Sequence, residues 1–96
     1  ALAQEAQVEL LGEIAGATAD ALASLQSAAL SFHRVRVSCE WLVRLDEAAA
    51  RAVLEWARAS HARGCAIEFV GVPRLVDVLL RMLGVEPFAK LSVRTR

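Results

Sequence analysis

The chain has 96 residues, a mass of 10.4 kDa, a formal net charge of zero from 11 basic and 11 acidic residues, and an apolar fraction of 56%. Such a chain makes one domain and is too apolar to be a disordered tail. It has no apolar run near the ~20 residues that span a bilayer, no cationic excess for non-specific nucleic-acid binding, and too few cysteines for a disulfide scaffold. The expectation is a single cytoplasmic domain over 1–96 with reduced thiols and no nucleic-acid partner or membrane insertion. Because it begins at Ala1 without a Met and without the basic-then-apolar order of a signal peptide, it reads as excised from a longer protein.

Gln7-Val8-Glu9-Leu10-Leu11 reads as a short strand ended by Gly12. Thr18 is placed to cap a first helix, with Asp20 in the first turn where the helix dipole favours a negative charge. Leu22, Leu25, Ala29 and Leu30 carry helical spacing to about Ser31. Val35, Val37 and Cys39 alternate with Arg34, Arg36 and Ser38, the period of a strand. Asp46 is placed to cap a second helix to about Arg63, with Leu45, Ala49, Ala52, Val53, Trp56, Ala59 and Ser60 as its apolar stripe. Glu47, Arg51, Glu55 and Arg58 form its other face in i,i+3 and i,i+4 pairs. Gly64 suits the position after the helix. Cys65–Val70 reads as the third strand, and Pro73 suits the first position of a third helix ended by Gly84. Leu91–Arg94 reads as a last strand. The order β-α-β-α-β-α-β implies an α/β domain of about four strands and three helices, with a mostly parallel sheet.

Little in the chain supports chemistry. Gly12-Glu13-Ile14-Ala15-Gly16 lacks the glycine spacing and the Lys-Ser/Thr of a phosphate cradle, so a plain turn is the better reading. Cys39 and Cys65 fall at opposite ends of adjacent parallel strands, roughly 15 Å apart, beyond the ~7 Å reach of a disulfide. With His33 and His61 they do not form a metal-ligand spacing. No serine or cysteine is tied to either histidine by a catalytic motif. Asp46-Glu47, the one adjacent acidic pair, reads as a cap plus a dipole partner.

The apolar surplus says more. On the third helix Arg74, Asp77 and Arg81 form one narrow charged stripe, and Leu75, Val76, Val78, Leu79, Leu80, Met82 and Leu83 fill an arc of roughly 200°, wider than one sheet face needs. Val78 and Met82 are expected to reach the surface or a partner. The first helix has Asp20 as its single charge, so its outer side is Ala, Ser and Gln. Uncharged outer faces of this kind are candidates for protein contacts, although small domains also expose apolar surface for no such reason.

These segments together resemble the STAS domain, named for sulfate transporters and anti-sigma factor antagonists, over about Val8 to Val93. Val8–Ile14 resembles the family's strand with its Gly-Glu turn, and Val35–Cys39 with Leu42–Asp46 resembles the central strand and the loop to the switch helix. Gly64 with Ile67–Val72 resembles the next strand and its Gly-Val exit, and Val76–Val85 resembles the helix closed by a Gly-Val turn. Phosphorylatable members open the switch helix with Asp-Ser/Thr-Ser/Thr-Gly. Here the stretch is Asp46-Glu47-Ala48-Ala49, without a hydroxyl, and an earlier Asp of the family matches Ser38. The resemblance therefore implies a (β-α) superhelical domain that binds a protein, is not an enzyme, holds no cofactor or metal, and is not phosphorylated at the usual position. Its expected partner surface takes in Trp41, Glu47, Arg51, Arg74, Val78 and Met82. The implied comparators include the small STAS subunit of bacterial phospholipid-trafficking ABC transporters. An ABC-type ATPase, a sigma-regulatory kinase, another part of the same chain or a second copy would be the partner. The alternatives are a switch responsive to phosphorylation, with Ser38 as acceptor, or to nucleotide.

Overall fold

A computed structural model describes residues 5–16 and 20–94, without the side chains of residues 20, 21 and 31. Thr18 and the Asp20 carboxylate, assigned above to the opening of the first helix, lie outside that description. The elements run β1 (Ala6–Glu9), β2 (Gly12–Ile14), α1 (Asp20–Ser31), β3 (Arg34–Ser38), β4 (Leu42–Leu45), α2 (Glu47–Ala62), β5 (Ala66–Val72), α3 (Arg74–Leu83) and β6 (Lys90–Val93).

β1, β3, β5 and β6 form one parallel sheet in that order. Each strand is laid down beside its predecessor. With right-handed crossovers this order puts all three helices on the same face. α1 packs on β1 and β3, α2 on β5, and α3 on β6, while α2 touches both other helices. Val35, Val37, Ile67 and Phe69 point into that layer and are buried, meeting Leu25, Val53, Trp56 and Leu80 from the helices. The Trp56 and Phe69 rings meet edge to face, with centroids 6.2 Å apart.

Among the described residues, the opposite face carries no helix. Its central row runs Gln7, Arg36, Glu68, Lys90 in direct register across four strands, with Arg36 Nε 3.9 Å from Glu68 Oε1. Period-two alternation in β3 and β5 thus separates an apolar helix-covered face from a polar open one.

The chain departs from the sequence reading in several places. The strand predicted over 7–11 ends at Glu9, and Gly12, at φ +66°, turns the chain into a second short strand, β2, beyond the predicted range. β4 was expected as part of a loop. It pairs in parallel with β2 in a separate two-stranded sheet, burying Leu42 and Leu45 where strict alternation would put one residue of β4 outward. Pro73 is the residue before α3 rather than its first residue.

Helix faces also shift. Leu30 of α1 is exposed, and Ala28 takes the inward position beside Ala29. Ala59 of α2 is exposed and Ala52 half-buried, while Ala50, Leu54 and Ala57 are buried, because α2 packs between two helices as well as on the sheet. Asp77 is buried beneath Arg81, whose Nε reaches both carboxylate oxygens at 2.9 Å, so it is not part of an outward charged stripe. The cysteines sit as expected: both are free and buried, Cys39 just after β3 and Cys65 just before β5.

Candidate functional site

A parallel sheet gathers its strand exits at one end, and the helices that follow begin there. Three segments meet at this carboxyl end: the Glu40-Trp41 turn between β3 and β4, the start of α2, and the start of α3.

Asp46 organises the start of α2. Its extended backbone leaves the carboxylate facing the first turn, where it accepts the Ala49 N–H at 2.8 Å. The same carboxylate accepts the Gly16 N–H at 3.1 Å through both oxygens, and the Asp46 N–H donates to the Ile14 carbonyl. The predicted cap is therefore also a tie to the segment after β2, thirty residues earlier. These N–H donors, Ala49 first and then Gly16, hold the Asp46 pKa below its ordinary value.

The next three positions differ in access. Glu47 is exposed, and Arg51 Nη2 lies 2.7 Å from its carboxylate, so its charge is neutralised within the helix. Ala48 is exposed and Ala49 fully buried. The first turn of α2 thus presents a methyl group and a closed ion pair, with no nucleophile.

α3 lies beside α2 and is amphipathic in two directions. Val76 and Leu80 face the core, while Leu75, Val78 and Met82 are 83%, 47% and 79% exposed. Their i, i+3, i+7 spacing aligns them on one outward stripe about 10 Å long. Arg74 opens the helix, exposed and without an ion-pair partner among the described residues. Arg81, by contrast, is engaged by Asp77 and Glu86.

Trp41 is 71% exposed, but β4 separates it from α2, so it stands on the turn after β3 and not on the loop entering the helix. It shares an open cleft with Val43 and Arg94. Leu11, next to β2 at 57% exposure, and Val43 at 67% add apolar surface at this end. Of the six residues expected to bind a partner, Trp41, Glu47 and Arg74 therefore gather at the carboxyl end. Arg51, Val78 and Met82 extend the surface down the helical layer. The sequence reading placed Leu75 in the apolar arc without singling it out as outward, and did not assign Leu11, Val43 or Arg94 to this end. Leu75 was within reach, since it stands three residues before Val78, whereas Arg94 carries no local signal.

Elsewhere the features are structural. His33 and His61 are exposed, and His61 packs edge to face on Phe88, on whose ring Arg58 also rests. Burial pushes the Cys39 thiol up to about 12, against the opposing influence of Arg94, which leaves it unreactive at neutral pH. No cluster of three metal-ligating side chains occurs among the described residues, and no helix among them is long and apolar enough to cross a membrane.

The comparisons with known proteins agree with this geometry. A family model described as "Mlab, STAS domain" matches residues 1–91. The chain belongs to the STAS family. Among curated proteins, none matches the sequence. Among solved structures, this STAS domain resembles one titled as the anti-sigma factor antagonist SpoIIAA in its unphosphorylated form. The match has a TM-score of 0.71 at 16% identity, over 92% of this chain and 79% of that one. At that identity the likeness is one of fold. The STAS domain accordingly has the mostly parallel four-stranded sheet and three helices that its sequence implied.

Proposed function

We propose that this STAS domain is a non-catalytic interaction module that docks a protein partner on its helical layer and carboxyl end. The observation that carries the reading is the outward stripe of α3, where three large apolar side chains stand in solvent on a helix whose opposite face already fills the core. Apolar surface in a contiguous, helically spaced row is a mark of protein contact. Trp41, Glu47, Arg51 and Arg74 flank it. The absence of a hydroxyl at Glu47-Ala48-Ala49, together with the closed Glu47–Arg51 pair, favours a constitutive binder over a phosphorylation switch. An ion-paired carboxylate is also a poor stand-in for a phosphate.

The test is capture of partners with the domain as bait, identification by mass spectrometry, and titration of the purified partner against the Val78→Asp/Met82→Asp variant. Binding is expected to be lost while the circular dichroism and thermal midpoint of the variant stay those of the parent. Unchanged affinity would rule out this face. An ATPase subunit among the partners assigns the domain to transport, and a sigma-regulatory kinase assigns it to transcription. Incubation with such a kinase and ATP should leave the mass of the domain unchanged; a gain of one phosphate would replace the constitutive reading with a switch.

A further inference from the structure

The Trp41 turn is held by a side chain remote from it in sequence, and a second remote residue leaves room for it. From just after β6, the Arg94 side chain reaches past β5 to the turn between β3 and β4. Its Nη2 donates to the carbonyls of Cys39 and Glu40 at 2.7 Å each and of Leu42 at 3.2 Å, fifty-two to fifty-five positions earlier. The Arg94 backbone N–H is anchored in turn on the Val72 carbonyl at 2.7 Å. From β5, Gly71 leaves the space into which the Glu40 carboxylate packs, and a Cβ there would collide with it. Gly71 also has φ +65° at the register shift between β5 and β6. Within the turn the Leu42 N–H donates to the Cys39 carbonyl, and from β2 the Gly12 N–H donates to the Trp41 carbonyl.

Nη2 has two N–H groups, which the 2.7 Å bonds to Cys39 and Glu40 use, so the 3.2 Å contact to Leu42 shares one of them; two charge-assisted bonds to one turn are a strong restraint. The Arg94 Nε is buried without a hydrogen-bond partner among the described residues, so the guanidinium gives up one contact with water in holding this position. The side chain at the apex of the restrained turn is an exposed tryptophan, the residue type most enriched at binding hot spots. Fixing such an anchor before binding reduces the ordering cost of association.

We infer that Arg94 is a positioning residue: it locks the Cys39–Leu42 turn so that Trp41 is presented in one conformation. Its relevance to partner binding rests on the interaction reading above, but the lock is a property of the free domain and is tested there.

Amide exchange and heteronuclear NOEs measured by NMR on the free domain separate the possibilities. Arg94→Ala is expected to speed exchange of the Leu42 and Gly12 amides about tenfold or more and to lower the Trp41 NOE, with the β3–β5 ladder amides unchanged. Arg94→Lys, which keeps a cationic donor, is expected to recover part of the protection. Two results overturn the inference: no change at Leu42, Gly12 and Trp41, or acceleration by one common factor throughout the sheet, which marks Arg94 as a general stabiliser only. Trp41→Ala serves the separate question. If it binds partner as the parent does while Arg94→Ala loosens the turn, the lock stands and the placement of Trp41 in the docking surface falls.

Discussion

At the residue scale, Asp46 combines two tasks that the sequence showed only in part. An Asp before a run of helix formers announces a cap, but nothing local announces that its second partner is the Gly16 N–H. Since folding lowers its pKa, its contribution is complete above the ordinary carboxylate value of 3.8 and fades as pH falls through the lower folded value. Asp46→Asn keeps a capping oxygen but loses the charge, and should therefore lower the thermal midpoint slightly at pH 7. The gap between variant and parent should close as scanning calorimetry is repeated toward pH 2; a gap independent of pH would mean that the charge is not what matters. Ala48 and Ala49 make a second pair of expectations. Ala48→Ser places a hydroxyl in solvent and should cost about 0.5 kcal/mol of helix propensity. Ala49→Ser buries one and should cost about 1–3 kcal/mol in urea titration.

At the element scale, α3 shows what periodicity can and cannot reveal. Its width of apolar arc was legible, and Val78 and Met82 are indeed outward. Asp77 was misplaced because an i,i+4 pair with Arg81 looks the same in sequence whether it is solvated or folded under the helix. The two faces should separate in a stability assay. Leu80→Ala, in the core, should cost about 2–5 kcal/mol, and Leu75→Ala less than about 0.5 kcal/mol. Equal losses would mean that the outward stripe is packed in the free domain. β2 and β4 were harder to read for a different reason. Strands of three and four residues hold too few alternations to register a period, and pairing with each other, not burial alone, defines them. Gly71 belongs here as well. Gly71→Ala combines left-handed strain, about 1–2 kcal/mol, with the collision against Glu40. The Glu40 carboxylate is the free end of an exposed side chain and can swing aside, so adding Glu40→Ala should recover little and leave the strain.

At the scale of the whole molecule, strand order fixes both the helical layer and the separation of the thiols. Because β3 and β5 run parallel, a cysteine after one and a cysteine before the other cannot meet, which the sequence alone sufficed to show. In native buffer at pH 8 a thiol reagent should modify Cys39 far more slowly than in denaturant, because burial both shields the thiol and raises its pKa. Comparable rates would indicate frequent opening around β3. The open face of the sheet has its own bearing on the behaviour of the molecule. A chain with no net charge and an apolar fraction of 56% lacks the overall repulsion that keeps colloids dispersed. What it has instead is placement: the row Gln7, Arg36, Glu68, Lys90 turns one broad flat side into a surface that cannot be dried without stripping water from ions of both signs. Dispersion of this kind depends on hydration, not on long-range repulsion, and ordinary salt should barely alter light scattering from concentrated solutions. Replacing Arg36, Glu68 and Lys90 together with threonine should make the solution cloud.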